Sequence, residues 1–497
     1  MGTFLSQAFS ASGGDIALAY ETQSWGAIIA PFIIGLIADR YFDAEKILAL
    51  IHILGGGLLF MCSVALGFDK FYPYILIYMI LYMPTLALVN SIAFRQMKDP
   101  SKEFPKIRVW GTVGWIVAGL VISYGVGWEA SQTLEYTVHR IASSMHDSYE
   151  IIGGVFNPNF SENIKFAKEI GLSENRIYED YEKMIEEELK LNKSERMEVV
   201  SILTPNFLHY PMAKKLLENN FSVICEKPMT TTFEEAQDLE QIYKSKNLTF
   251  AVTYTYTGYP MVRQMKNMIS NGVIGEVQRV DLQYYQGWIN PIIHDKTKRS
   301  ETWRLQPNKS GISCCIGDIG THAFDMLEYV TGMEVKELLS DLNYVYDDNP
   351  MDVDGTILIR FSDKIKGVIR ASQIATGEEN CFTVAIYGRK GGLKWQQENP
   401  NYLNHLSEGK PLKILKPGHD YNSDFSKIST KLPPGHPEGM FDSMANIYNG
   451  VAREIRGEQE FKGEYPTLND GLRGMLFIEK AVESHSNGNT WVKLNTD

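Results

Sequence analysis

Three short clusters carry side chains suited to moving a proton and holding a charged ligand. Glu226-Lys227-Pro228 sets a carboxylate, an ammonium and a rigid turn side by side. A lysine over a ligand crevice places positive charge beside a reacting hydroxyl and lowers its pKa, while the proline fixes the backbone and removes a donor. In "GDIGTHAFDMLEYVTG", Gly317 to Gly332, Asp318 and His322 stand four apart and so share one side of a helix that Gly332 ends. A carboxylate one turn from an imidazole fixes its tautomer and raises its basicity, as a proton-transfer pair requires. The same spacing suits two zinc ligands, but no third or fourth ligand stands at a credible distance, so no metal site is expected. It also suits a helix cap beside a core histidine. Thr204-Pro205-Asn206, with His209 one turn further on, is the third cluster. Taken singly, it reads as an ordinary turn, and Glu-Lys-Pro as an ordinary solvated loop.

The elements around these clusters alternate between short apolar runs and amphipathic stretches. His139 to Met145 reads as the rear of a helix, Glu150 to Phe156 as a strand, and Ser161 to Gly171 as a helix ended by its glycine. Glu198 to Leu203, "FSVICEKPM" and "LTFAVTYTY" are apolar enough for buried parallel strands, with helices between them, the second from Phe233 to about Lys246. That order predicts a doubly wound sheet with ligands at the carboxyl ends of its strands, where the Thr204-Pro205-Asn206 and Glu226-Lys227-Pro228 clusters fall. Further on, "EVQRVDLQYYQGW", "DGTILIRFS", "GVIRASQIA" and "CFTVAIYG" alternate as strands of an open, mostly antiparallel sheet.

The first quarter of the chain differs in kind. Ile47 to Phe68, Tyr72 to Phe94 and Val109 to Trp128 are uncharged spans long enough to cross a bilayer, and a weaker one runs from about Ile16 to Ala38 around Glu21. The expectation is about four transmembrane helices in contact with lipid. Arg40 and Lys46 in one loop, and Arg95, Lys98, Lys102, Lys106 and Arg108 in another, place those loops in the cytoplasm by the positive-inside rule, so the chain after the last span emerges on the outer side. The net charge of −12 over 497 residues excludes a general nucleic-acid binder. Five cysteines at 62, 225, 314, 315 and 381 follow neither a metal-ligand nor a disulfide spacing and read as free thiols. No signal peptide is read at the start.

Two family resemblances emerge from these motifs. "GLIADRYF", "YMPTLALVNSIAF" and "FPKIRVWGTVGWIVAG" resemble the nucleoside:proton symporter branch of the major facilitator superfamily over about residues 1–136. The likeness begins after that family's first helix and stops near its fifth, which implies a fragment without a closed substrate path. From about Val138 onward, "TPN" with its following histidine, "EKP" and "GDIGTHAFD" resemble the Gfo/Idh/MocA oxidoreductases. That resemblance implies an NAD(P)-dependent oxidoreductase of sugars or polyols with Lys227, Asp318 and His322 in catalysis. It also implies that Thr204, Pro205, Asn206, His209, Glu226, Lys227, Trp303 and Arg304 hold the NAD or NADP, and that the open sheet binds substrate and supports homo-oligomers. Tyr284, Tyr285, Gln286, Trp288 and His294 are candidates to line the sugar site, although for any single one of them ordinary sheet packing is the stronger reading.

Two departures qualify this second resemblance. The family opens with a strand and a Gly-x-Gly-x-x-Gly turn, at which a pyrophosphate approaches the backbone and a helix N-terminus. No such loop precedes Val138; Gly125-Val126-Gly127 ends the last apolar span. Asn157-Pro158-Asn159 stands where an acidic ribose ligand is expected. The expected organisation is therefore a transporter-like membrane segment at 1–136, a truncated Rossmann domain at 138–258 and an α+β domain at 259–497, a fusion whose oxidoreductase half is cytoplasmic in its unfused relatives.

Overall fold

The computed structural model describes residues 44–63, 65, 67–96, 130–362, 364–458 and 464–495, with isolated positions before residue 44. It divides into two units, Met1–Glu129 and Ala130–Asp497. In the first, helices α1 (Ala44–Ser63) and α2 (Phe68–Gln96) pack on each other through Cys62, Phe71 and Ile75. A Cβ on Gly55 would sit in ordinary contact with the Tyr78 ring, at 3.5 Å. Leu50, Ile53, Leu54 and Phe60 on α1 are exposed. These two helices coincide with two of the four expected spans, and the spans near 16–38 and 109–128 lie almost wholly outside the described residues. Among the described residues no helix is long and apolar enough to cross a membrane.

The second unit opens with α3 (Ala130–Ser144), followed by α4 (Phe160–Glu169), capped by the Asn159 side chain, and α5 (Tyr181–Glu188), capped by Asp180. Strands β1 (Val199–Ile202), β2 (Ser222–Cys225) and β3 (Phe250–Val252) pair in parallel in that order. Helix α6 (His209–Glu218) follows β1 and α7 (Phe233–Lys244) follows β2, the latter started by a capping box from Thr232 and Glu235. Val223, Ile224, Phe250 and Val252 are wholly buried, as continuous apolar runs in a parallel sheet require. The strand expected at 150–156 is reduced to a single parallel bridge between Gly154 and Ile177. With no described strand on its inner side it lacks a second ladder, and a Cβ on Gly153 would collide with the Arg176 carbonyl.

The remaining chain builds a nine-stranded sheet in the order β11-β10-β9-β8-β4-β7-β6-β5-β12. Its members are β4 (Val277–Tyr285), β5 (Glu337–Asn343), β6 (Asp354–Arg360), β7 (Lys366–Ser372), β8 (Cys381–Gly388), β9 (Gly391–Gln396), β10 (Leu403–Leu406), β11 (Lys413–Leu415) and β12 (Val492–Lys493). Every pairing is antiparallel except β4 with β7, so the sheet is mixed. Helix α8 (Pro260–Ser270) leads into it, and α9 (Thr321–Thr331) and α11 (Leu468–Ser486) pack together, with α10 (Met440–Ile455) lying against α3. Between α9 and α11, Phe324 stacks on Phe477 at 4.4 Å and Arg473 pairs with Glu328. The five cysteines are free, and all but Cys381 are buried.

Gly474 on α11 leaves room for Tyr254 and for Thr321 at the start of α9, because a Cβ there would overlap the Tyr254 hydroxyl and the Thr321 side chain. Gly474→Ala is expected to destabilise the unit by about 1–3 kcal/mol through overpacking, read as a lowered unfolding midpoint of the chain in urea.

Candidate active site

The turns after β1 and β2 are tied together by His209. Its Nδ1 lies 2.8 Å from the Pro228 carbonyl oxygen and its Nε2 lies 2.7 Å from that of Thr204. Burial lowers the pKa of this imidazole, while the two carbonyls favour a proton on each nitrogen. Both nitrogens being engaged, the ring acts as a bridge between the two turns. Asn206 likewise faces inward, donating to the Ser310 carbonyl at 3.1 Å. Thr204 and Pro205 complete the turn beside it.

Lys227 leaves the end of β2 and reaches α9. Its Nζ donates to Asp318 Oδ1 at 2.6 Å and to the Asp318 carbonyl at 2.9 Å, with both side chains less than a fifth exposed. The other carboxylate oxygen accepts from Gln373 Nε2 at 2.7 Å and faces Arg304 Nε at 3.8 Å. Burial opposes the charge on Asp318, but Arg304 and Lys227 outweigh it and hold the carboxyl well below its usual range. Arg304 also lies over the Trp303 ring at 4.5 Å, so this pair adjoins the carboxylate.

Asp318 lies in a single π turn, Ile316–Gly320, that opens α9. Asp352, wholly buried, fixes that turn by accepting from the backbone N–H of Cys314 at 3.0 Å and of Ile316 at 2.9 Å. The expected Asp318–His322 hydrogen bond is not formed, because Lys227 and Gln373 take the two carboxylate oxygens. His322 Nδ1 is buried and has no hydrogen-bond partner. Burial and then the Lys227 charge push this imidazole down to about 3. It is packed among Tyr256 at 4.8 Å, Tyr254 at 5.7 Å and Tyr284 at 6.3 Å between ring centroids.

Glu226 is held from the opposite side. Its Oε1 lies 2.9 Å from His139 Nε2, and His139 Nδ1 lies 2.8 Å from the Tyr448 hydroxyl. Burial opposes ionisation, but the His139 hydrogen bond and charge prevail and Glu226 falls to about 2. Neither His139 nor Tyr448, Gln373 or Asp352 is singled out by the sequence. Their partners lie far off in the chain, and the one local signal is Gln373 immediately after the "GVIRAS" strand. The donor set at these strand ends fits the nicotinamide end of a dinucleotide: a buried ionised carboxylate, an ammonium and an unpartnered imidazole nitrogen. Of the other sugar-site candidates, Tyr284, Gln286 and Trp288 join one hydrogen-bonded chain, whereas His294 pairs with Tyr346 at 2.8 Å. Among the described residues no cluster suits a metal ion.

Residues 125–254 match the family described as an oxidoreductase family with an NAD-binding Rossmann fold, and residues 262–394 match the GFO/IDH/MocA C-terminal domain. The chain is 32% identical over 364 residues to the uncharacterized oxidoreductase YfiI of Bacillus subtilis, covering 71% of this chain and 92% of that protein. It belongs to the GFO/IDH/MocA oxidoreductase family. A Sinorhizobium meliloti oxidoreductase structure superposes with a TM-score of 0.64 at 36% identity, over 72% of this chain and 96% of that one. An inositol dehydrogenase homolog of Azotobacter vinelandii, solved with NAD+, gives 0.68 at 28%, over 72% and 93%. The front is of another origin, since residues 1–152 match the Nucleoside H+ symporter family. There the chain is 42% identical over 113 residues to the putative nucleoside transporter YegT of Escherichia coli, spanning 27% of that protein's length. The two matches overlap from Gly125 to Ile152, so the Rossmann match takes in Gly125-Val126-Gly127, which lies outside the described residues.

The depressed pKa of His322 predicts acid lability. Between its usual value near 6.5 and about 3 the unfolded chain binds a proton that the folded chain does not, so this contribution is present above pH 6.5 and is lost as pH falls. Asp318 and Glu226 act in the same direction, but only below the usual carboxylate range. His322→Asn is therefore expected to flatten the fall in unfolding midpoint between pH 6.5 and about 4.5, leaving the steeper loss below it, in denaturation series across pH.

Proposed function

We propose that residues 130–497 work as an NAD(P)-dependent oxidoreductase on the CH–OH groups of sugars or polyols, with a weakened hold on the dinucleotide. The Lys227–Asp318 ion pair beside the unpartnered His322 imidazole carries the reading. Thr204, Pro205 and Asn206 would line the dinucleotide, Glu226 and Lys227 would hold its nicotinamide end, and Trp303 and Arg304 would approach it from the loop before α9. The dinucleotide, when bound, supplies a hydride acceptor at its nicotinamide. Lys227 Nζ, aimed by Asp318, presents its charge to the substrate oxygen and stabilises the negative charge that develops there. His322, neutral at physiological pH, takes the hydroxyl proton at Nδ1. His209 keeps the two turns in register, and Asp352 keeps the π turn in place, so that ammonium and imidazole converge on one substrate hydroxyl.

The weak hold is inferred from the sequence before Val138, where Gly125-Val126-Gly127 at the start of the Rossmann match supplies two of the three glycines of the turn whose backbone N–H groups and helix N-terminus are the usual seat of the pyrophosphate. The inositol dehydrogenase homolog was also solved with NADH and myo-inositol, and the chain is 31% identical to a levoglucosan dehydrogenase over 79% of that protein. Both support a polyol or sugar as substrate. A second reading concerns the front: residues 1–136 act as a multi-pass membrane segment that holds the chain at a bilayer, a reading supported by the symporter match and by the apolar side chains exposed on α1.

The test is dinucleotide reduction by the full chain in detergent with myo-inositol or levoglucosan. Slow turnover that saturates only at high NAD+ or NADP+ is expected, with Lys227→Ala lowering kcat by about a hundredfold or more. No turnover at any dinucleotide concentration, or an unaffected Lys227→Ala variant, overturns the assignment.

A further inference from the structure

Gln373, the residue after β7, is wholly buried with each of its polar groups engaged. Its backbone N–H donates to the Val353 carbonyl at 2.9 Å, and its own carbonyl accepts from the Ile289 N–H at 3.1 Å. In the side chain, Oε1 lies 3.4 Å from Cys314 Sγ and Nε2 lies 2.7 Å from Asp318 Oδ2. The thiol decides which way this amide points. Burial, and then the charge of Asp352, push the Cys314 thiol up, so it keeps its proton and donates it. A donating thiol draws the amide carbonyl and leaves the amide N–H for the carboxylate. The flipped amide would set carbonyl oxygen against carboxylate oxygen. Cys314 is itself held by Asp352, which accepts from its backbone N–H at 3.0 Å.

Asp318 and His322 stand four apart on one side of the helix, within reach of a hydrogen bond. The carboxylate nevertheless has no oxygen to spare. Oδ1 is taken by Lys227, and Oδ2 by Gln373 with Arg304 Nε facing it at 3.8 Å. The imidazole is faced by Lys227 and Glu226 from the end of β2, by Asp318 from its own helix, and by the rings of Tyr254, Tyr256 and Tyr284. Its Nδ1 is buried without a partner. We propose that Gln373, oriented by the Cys314 thiol, is a positioning residue that commits Asp318 to Lys227 and withholds it from His322. Two roles are thereby kept apart. The lysine charge is aimed, while the imidazole stays a weak base that takes a proton only from a hydroxyl the lysine has acidified. That consequence rests on the oxidoreductase reading above; the arrangement itself does not.

The test is a proton titration of His322 in the full chain in detergent, without dinucleotide or substrate. Histidine is labelled with carbon-13 for NMR, and the His322 signal is the one lost in His322→Asn. The imidazole of the unsubstituted chain is expected to stay neutral from pH 8 down to about 4.5. Gln373→Met keeps the length and volume of the side chain but frees Asp318 Oδ2 to turn to the imidazole. It is expected to raise the His322 midpoint by about one pH unit or more, tenfold in proton affinity. Adding Asp318→Asn is expected to abolish that rise, because no carboxylate is left to turn. Cys314→Ala is expected to give a smaller rise in the same direction, and decides alone where Gln373→Met does not fold. An unchanged midpoint in either single variant overturns the inference. So does a rise that persists with Asp318→Asn, which reports loosened packing. The oxidoreductase assignment falls only in the turnover assay, so the two failures are distinct.

Discussion

The Lys227–Asp318 ion pair joins two parts of the fold that share no sheet. Lys227 ends a strand of the three-stranded parallel layer, and Asp318 opens the helix laid on the nine-stranded layer. Two charges less than a fifth exposed repay their desolvation only when geometry is close and the remaining lone pairs are met. Here a 2.6 Å contact, a second bond to the Asp318 carbonyl, the Gln373 amide and the Arg304 guanidinium meet that condition. The other placements follow from it. Asp352 sets the π turn so that the carboxylate points at lysine, His209 sets the turn from which lysine extends, and the neutral state of His322 owes part of its bias to the lysine charge.

How much of this was legible in the sequence divides along the range of the interactions. The apolar runs at 199–202, 222–225 and 250–252 are strands because a buried parallel strand needs nothing more local than that pattern. Gly332 ends α9 in the left-handed conformation, as a glycine after a periodic stretch should. Strands β5, β9, β10, β11 and β12 were not anticipated, since several are short and their polarity is mixed. In the site, Lys227, Asp318 and His322 converge as their motifs imply, but the predicted carboxylate–imidazole pair does not form. Spacing on a helix tells which side chains share a side, not which of several partners wins the carboxylate. His139, Gln373 and Asp352 act through residues 36 to 87 positions away, beyond the reach of any local pattern.

The two halves of the chain obey different rules. In the first unit apolar side chains face outward along α1. In the second, apolar side chains face inward and the exposed surface is charged. Family matches that overlap across 125–152 put the change of rule within a few turns of chain. Helix α3 stands at that change, and its His139 is nonetheless wired to the Glu226 carboxylate of the active-site turn.

The closure of the parallel layer has a consequence for the order in which the protein is made. Its edge strand β3 is flanked by Pro466 and Thr467, which supply a carbonyl to Val252 and a bridge to Ala251. Helix α3 is bonded through His139 to Tyr448, 309 residues on, and β12 near the chain's end completes the second sheet against β5. Contacts of such sequence separation form late. During synthesis the parallel layer is therefore without its covering residues until residues 448–467 have left the ribosome, well after the strands they cover.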